Sequence, residues 1–473
     1  MIGLRAKATV ACFWMMSGCL TANLVAEAAL EEIDPVTYLN RVAVQELRIL
    51  EYRSREPAEA LALQRAEEWF VPDLALSVRW EDETRREPST TEQRGLTSRL
   101  DSGWTTLLGT DIDLGLDYQY GEQASALPSG LPEDYQENQQ VSLEIQQPVL
   151  RGFTPAYNRI PIQLAREERA RYDIQGALHQ LEAQREAVQD LVELQRLADR
   201  IQVENALLTH HEHLLDTTET LWLEGQSTEL DADLARLDVA EQAAALAHSE
   251  AELQRQQRQL GLRIHESVAV TPLDSLEEVI DWLHPVEAVE FKLEDHPELQ
   301  VSRSEQRSAR LSVTRVERDH WPEVSLFYRF EKDYRGSLPD QETEAFGMRL
   351  SYAIHDLGTQ ETQRRAETDR DSAQWRLQDA RVRLLADHYR VREELAEIRQ
   401  EILLLQDGLA LSERALAHEM ARYEQGFSSL LDVERRQEDR LSRQMALLDA
   451  QAQLANGLME LVYLTNQDIR RWL

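Results

Sequence analysis

One half of this chain repeats the other. The run Trp69-Phe70-Val71-Pro72-Asp73-Leu74-Ala75-Leu76-Ser77-Val78-Arg79-Trp80-Glu81 has a counterpart in His320-Trp321-Pro322-Glu323-Val324-Ser325-Leu326-Phe327-Tyr328-Arg329-Phe330-Glu331. With Pro72 registered on Pro322, acid faces acid, Leu76 faces Leu326, Arg79 faces Arg329, Trp80 faces Phe330 and Glu81 faces Glu331. Leu143–Val149 resembles Met348–Ile354 in the same order. The third match is the sharpest: Trp222-Leu223-Glu224-Gly225-Gln226-Ser227-Thr228-Glu229-Leu230-Asp231 against Tyr423-Glu424-Gln425-Gly426-Phe427-Ser428-Ser429-Leu430-Leu431-Asp432. Three collinear matches define a duplication. It divides the chain into a first repeat over 29–266, a Pro-containing linker over 267–287 and a second repeat over 288–473.

Each repeat alternates helix, strands and long helices. Period-two alternation predicts strands over 73–84, 110–121 and 139–149 in the first repeat, and over 323–333 and 345–355 in the second. Leu74, Leu76, Val78 and Trp80 share one face of the first strand, and Asp73, Ala75, Ser77, Arg79 and Glu81 the other. A half-buried soluble sheet and an outer-membrane barrel both give this pattern; tyrosine-rich ends and a length of about 10 residues favour the barrel. From about Pro155 to Leu223 there is one glycine, Gly176, and no proline after Pro161; from about Thr359 to Gln425 only Gly408 intervenes. Each stretch predicts a helix of about 100 Å. Leu395, Ile398, Ile402, Leu405 and Leu409 step by 3, 4, 3, 4, a heptad seam along which helices pack side by side. Beyond Gly225 and Gly426 the chain returns as antiparallel helices, so these glycines mark hairpin tips.

Composition removes several classes. Asp and Glu number 86 against 51 Lys and Arg, a net charge of -35, which excludes a nucleic-acid binder or a polybasic membrane-surface protein. A mean hydropathy of -0.52 excludes a polytopic helical membrane protein, but not a β-barrel, whose lumen face dilutes its lipid face. No G-x-x-x-x-G-K-[ST], H-E-x-x-H or G-x-S-x-G pattern occurs, so no catalytic role and no cofactor is expected. Arg5 and Lys7, the apolar run to Leu20 and Ala26-Glu27-Ala28 read as an export signal cleaved after Ala28. Ser17-Gly18-Cys19 offers the alternative of a lipidated Cys19.

These features resemble the TolC-type outer membrane efflux proteins. The paired openings at Pro72 and Pro322, the exit Gln146-Gln147-Pro148-Val149-Leu150-Arg151-Gly152-Phe153 and the tip Arg422–Val433 carry the resemblance. It implies a mostly helical protein with strands, forming a homotrimer in the outer membrane of a Gram-negative bacterium. Four strands from each copy would close a twelve-stranded barrel in lipid, continued by a helical tunnel through the periplasm. The channel would dock on a periplasmic adaptor and an inner-membrane transporter, exporting drugs, ions or secreted proteins. Residues 85–140 depart from that pattern, with a strand beyond the expected four. The competing reading is a periplasmic adaptor or scaffold without a pore, for which a single hairpin between halves of compact β domains is expected.

The resemblance also nominates site residues. Asp432 and Asp231 stand where such proteins narrow the periplasmic entrance with acids; a ring from three copies attracts cations, whereas a helix N-terminal acid needs no further role. Where the family has a second acid one turn on, this chain has Arg435. Trp222, Gly225, Ser227, Tyr423, Gly426, Ser428 and Leu431 resemble adaptor-docking tips, although turn chemistry also selects such residues. His210 and His213, at i and i+3, could share a metal ion on one helical face, or simply be solvated.

Overall fold

The computed structural model describes residues 31–87, 89–125, 134–335, 340–352 and 357–471. Ala28 and Cys19 lie outside the described residues. In chain order the elements are β1 (Glu31–Ile33), α1 (Pro35–Gln45), α2 (Leu47–Glu67), β2 (Asp73–Glu87), β3 (Ser89–Thr105), β4 (Asp111–Ser125) and β5 (Asp134–Pro148). Then come α3 (Pro155–Asn158), α4 (Ile160–Leu223), α5 (Glu229–Arg263), β6 (Val268–Val270), α6 (Leu276–Leu283) and α7 (Pro297–Asp319). The chain ends with β7 (Glu323–Arg335), β8 (Gln341–Ser351), α8 (Leu357–Glu424) and α9 (Leu430–Leu464).

The long helices follow from what their sequences lack. α4 has 64 residues and α8 has 68, about 96 and 102 Å of axial rise. Pro161 falls in the first turn of α4, where an N–H has no intrahelical partner to lose. Gly176 sits where Tyr52 of α2 meets α4: a Cβ there would lie 2.3 Å from the tyrosine Cζ. Along α8 the buried residues Ala366, Ala373, Ala380, Leu384, Val391 and Leu395 step by sevens and fours. That spacing gives one narrow stripe for side-by-side packing. Leu395 and Ile402 of the heptad seam are buried, while Ile398, Leu405 and Leu409 are half-buried.

The chain divides into two compact units. One contains the residues up to Glu46, Ala187–Val279 and Ile402–Ala452, and so holds both hairpin tips. Its α1 is capped by Asp34, whose carboxylate accepts from the Thr37 amide at 2.9 Å, and buries Tyr38, Leu39 and Val42. Arg263 pairs with both Glu46 (3.2 Å) and Asp190 in the same unit. Much of 267–287, expected as a linker, is structured. β6 pairs in parallel with β1, Glu31 opposite Val268 and Ile33 opposite Val270. α6 follows directly; its Leu276, Val279 and Leu283 are buried at helical spacing.

The other unit contains Leu47–Glu186, Ile280–Glu401 and the residues from Gln453 onward, including the main sheet. This sheet is antiparallel throughout, in the order β2-β3-β4-β5-β7-β8. It has six strands rather than four, and β3 is the one that alternation did not reveal. The apolar face of β3 reads Leu96, Ser98, Leu100, Ser102, Trp104, so serines interrupt the pattern that marks its neighbours. Backbone pairing to β2 and β4 on its two sides settles the strand instead.

Register sorts the side chains into two faces. The row Trp104, Ile112, Ile145, Tyr328, Phe346 crosses from β3 to β8 with each residue opposite the next. Leu76, Leu100, Leu116 and Val141 form a second such row from β2 to β5. The opposite face carries Arg99, Asp101, Asp113, Glu144, Arg329 and Glu331 around a hollow floored by Gly103, Gly115 and Ser142. Arg329 bonds Glu144 at 2.9 Å and Arg99 bonds Asp101 at 2.8 Å.

Candidate functional site

The two hairpin tips share one backbone solution. Gly225 has φ 76° and Gly426 has φ 74°, the left-handed conformation that a residue with a Cβ resists. In the first tip the Gln226 amide donates to the Leu221 carbonyl at 2.8 Å; in the second the Phe427 amide donates to Arg422 at 2.9 Å. Each closes the last turn of a long helix through the glycine, the usual role of glycine at a helix C-terminus.

The next helix is then opened by a hydroxyl and an acid three residues apart. Thr228 caps α5: its hydroxyl accepts from the Asp231 amide at 3.2 Å, and the Asp231 carboxylate accepts from the Thr228 amide at 3.0 Å. Ser429 and Asp432 repeat this reciprocal capping at the start of α9, with 3.3 and 3.4 Å. The hydroxyls of Thr228 and Ser429 also donate to those carboxylates at 2.7 and 2.6 Å. These bonds hold both carboxyls below the usual Asp range. For Asp231 the backbone and hydroxyl of Thr228 are the main cause. For Asp432 they are the hydroxyl and backbone of Ser429, helped by the Arg435 and Arg422 guanidiniums. The cap bonds that these carboxylates accept all go to a single oxygen, Oδ2, on each. Asp432 and Arg435 are exposed and Asp231 is half-exposed.

The docking residues divide. Trp222, Gly225, Gly426 and Leu431 are exposed, and Ser227 and Ser428 are half-buried. Ser227 donates to Asp231 at 3.1 Å, while Ser428 bonds Glu419, which also pairs with Arg422 at 3.2 Å. Tyr423 departs from the sequence reading: it is only 4% exposed and packs with Leu214, Leu221, Leu416, Leu430 and Val433. Its hydroxyl meets the Thr218 hydroxyl at 2.8 Å. The aromatic before the second glycine is therefore a core residue joining the two hairpins, not a contact surface. In its place the tips expose Leu223, Leu230 and Phe427, which sequence matching passed over because their counterparts, Glu424, Leu431 and Gln226, are not uniformly apolar.

His210 and His213 line a shallow groove with Glu413, Leu416, Met420 and Arg440. Burial, with His211, Arg440 and His213 nearby, pushes the His210 imidazole down to about 4. Among the described residues no group of three or more metal-binding side chains converges here or elsewhere. No described helix is long and apolar enough to cross a membrane.

The fold is similar to that of solved outer membrane channels. The outer membrane protein VceC of Vibrio cholerae superposes with a TM-score of 0.66 at 16% identity, over 92% of this chain and 96% of its own. The Campylobacter jejuni CmeC outer membrane channel gives 0.65 at 11%, over 92% and 88%. The open state of the Neisseria gonorrhoeae MtrE outer membrane channel gives 0.66 at 12%, over 92% and 90%. Residues 290–467 match the model of the outer membrane efflux protein family. No curated protein matches the sequence significantly.

Proposed function

We propose that the chain is the outer-membrane channel of a tripartite export system, a homotrimer that conducts passively and takes its energy from an inner-membrane transporter. The observation that carries this is the sheet: apolar rows run along one face from β2 to β8, and the other face holds a field of charges. Water on both sides would leave the apolar face unexplained, whereas lipid on one side and an aqueous lumen on the other suit both faces. The long helices then form the periplasmic tunnel, and their tips meet a periplasmic adaptor. Trp222, Leu223, Phe427 and Leu431 supply the exposed apolar contact there, on a backbone shape fixed by Gly225 and Gly426. Asp231, Asp432 and Arg435 ring the entrance: Oδ2 of each acid caps its helix, and Oδ1 is left to attract cations. Fractionation tests the reading. The protein should sediment with outer membranes, require detergent for release and cross-link as trimers. Recovery as a monomer from the soluble periplasm would sink it.

A further inference from the structure

We propose that three copies close their sheets edge to edge into one eighteen-stranded barrel, with β8 of each copy paired to β2 of the next. The proposal rests on the channel reading above and adds to it the width of the pore. β2 and β8 are the outer strands of the sheet and do not pair with each other. Lipid does not tolerate open strand edges, so a barrel must cover both. Leu74, Leu76, Val78 and Trp80 on β2, with Phe346, Met348 and Leu350 on β8, are among the most exposed apolar side chains of the chain. Parity selects a second copy as the cover. Six strands, each antiparallel to the last, leave β2 and β8 running in opposite senses. The seam between copies is then antiparallel like every other pair; an odd number of strands would force a parallel pair at each seam.

The β3–β4 hairpin belongs to the wall. Both edges of β5 are occupied, by β4 on one side and β7 on the other, so β2 cannot reach β5 to make a four-stranded unit. The hairpin also has the two faces that a wall needs. Leu100, Trp104, Ile112 and Leu116 continue the apolar rows, while Arg99, Asp101, Asp113 and Asp117 lie on the charged face. With strands about 4.8 Å apart and tilted by about 40°, eighteen strands circle at a radius of about 18 Å, against about 12 Å for twelve. The outer-membrane section is then wide enough to pass bulky solutes or extended polypeptide, and any narrow point lies elsewhere.

Spin labels on Leu100→Cys, Leu116→Cys, Asp101→Cys and Asp117→Cys in outer-membrane vesicles test the wall. Labels at 100 and 116 should be quenched by oxygen, and those at 101 and 117 by a water-soluble nickel chelate. Membrane-inserted trimers in which all four sites are equally open to the chelate would overturn the eighteen-strand barrel while leaving the channel reading intact. Cysteines at Leu76 and, in turn, at Phe346, Met348 and Leu350 should yield covalent trimers for at least one pair. Failure of every pair in intact trimers overturns the seam. Deleting 88–133 joins the same end of the sheet and should give a twelve-stranded trimer. The largest polyethylene glycol maleimide that labels Glu331→Cys should shrink in that background; an unchanged limit counts against the proposal. If that deletion does not fold, the spin labels still decide.

Discussion

At the scale of single residues, the tips show how little freedom an acid at a helix start has. Asp231 and Asp432 are each tied to a hydroxyl and an amide three residues earlier. Their carboxyls are held below the ordinary range, so what they contribute to tip order is complete above about pH 4 and is lost as pH falls through the folded value. Protection of the Ser429–Asp432 amides, relative to their intrinsic exchange rate at each pH, should therefore fall in strong acid, and Asp432→Asn should be less protected at neutral pH and lose that acid dependence. Equal exchange in parent and variant would show that the cap contributes nothing. The pairing Gly-x-Ser-hydroxyl-x-x-Asp was legible in the sequence, because each residue type answers a local backbone demand. The burial of Tyr423 was not, because it depends on Thr218 and Leu214, more than two hundred residues away in the chain. Tyr423→Phe leaves the packing and removes one buried hydrogen bond, at a cost of about 1 kcal/mol, read as several-fold faster exchange of tip peptides. No change in exchange would mean that the hydroxyl is readily replaced by water.

Elements were legible to the extent that their sequences are uniform. A helix of 64 or 68 residues announces itself by lacking breakers, and a strand such as β4 by strict alternation over Asp111–Tyr120. β3 and the parallel β1–β6 pair were hidden for a shared reason: each is decided by partners, not by its own residues. β1 and β6 are three residues long, too short for any period to show. The turns between helices make a sharper prediction. A Cβ at position 225 would meet nothing within 4 Å, so Gly225→Val suffers only backbone strain, about 1–3 kcal/mol. At position 426 the Cβ would also come within 3.0 Å of the Gln226 side chain from the neighbouring tip. Gly426→Val should therefore impair export more than Gly225→Val, with trimers still assembling in the membrane. If the two variants export equally, the contact between Gly426 and Gln226 is irrelevant to docking.

For the whole molecule, charge is the quantity that scales with assembly. Each chain carries -35, and three chains carry three times that. Around the hollow of the sheet's charged face, Asp101, Asp113, Glu144 and Glu331 outnumber Arg99 and Arg329. That leaves an excess of two negative charges per copy; if this face lines the lumen of the proposed channel, like charges there focus a field on passing ions. The open channel should prefer cations, and the preference should fade as salt rises, because the screening length falls from about 30 Å at 0.01 M to about 3 Å at 1 M. Two acidic zones compete to set it, the sheet and the tips. In the proposed channel, the sheet would act on every ion in a wide passage and the tips on ions at the periplasmic entrance. Glu331→Gln with Asp101→Asn should therefore lower selectivity in dilute salt while leaving block by divalent cations from the periplasmic side unchanged. Asp432→Asn should do the reverse, relieving the block and shifting the reversal potential less. If the sheet variant relieves the block, or the tip variant alone abolishes selectivity, the two zones have been assigned the wrong way round.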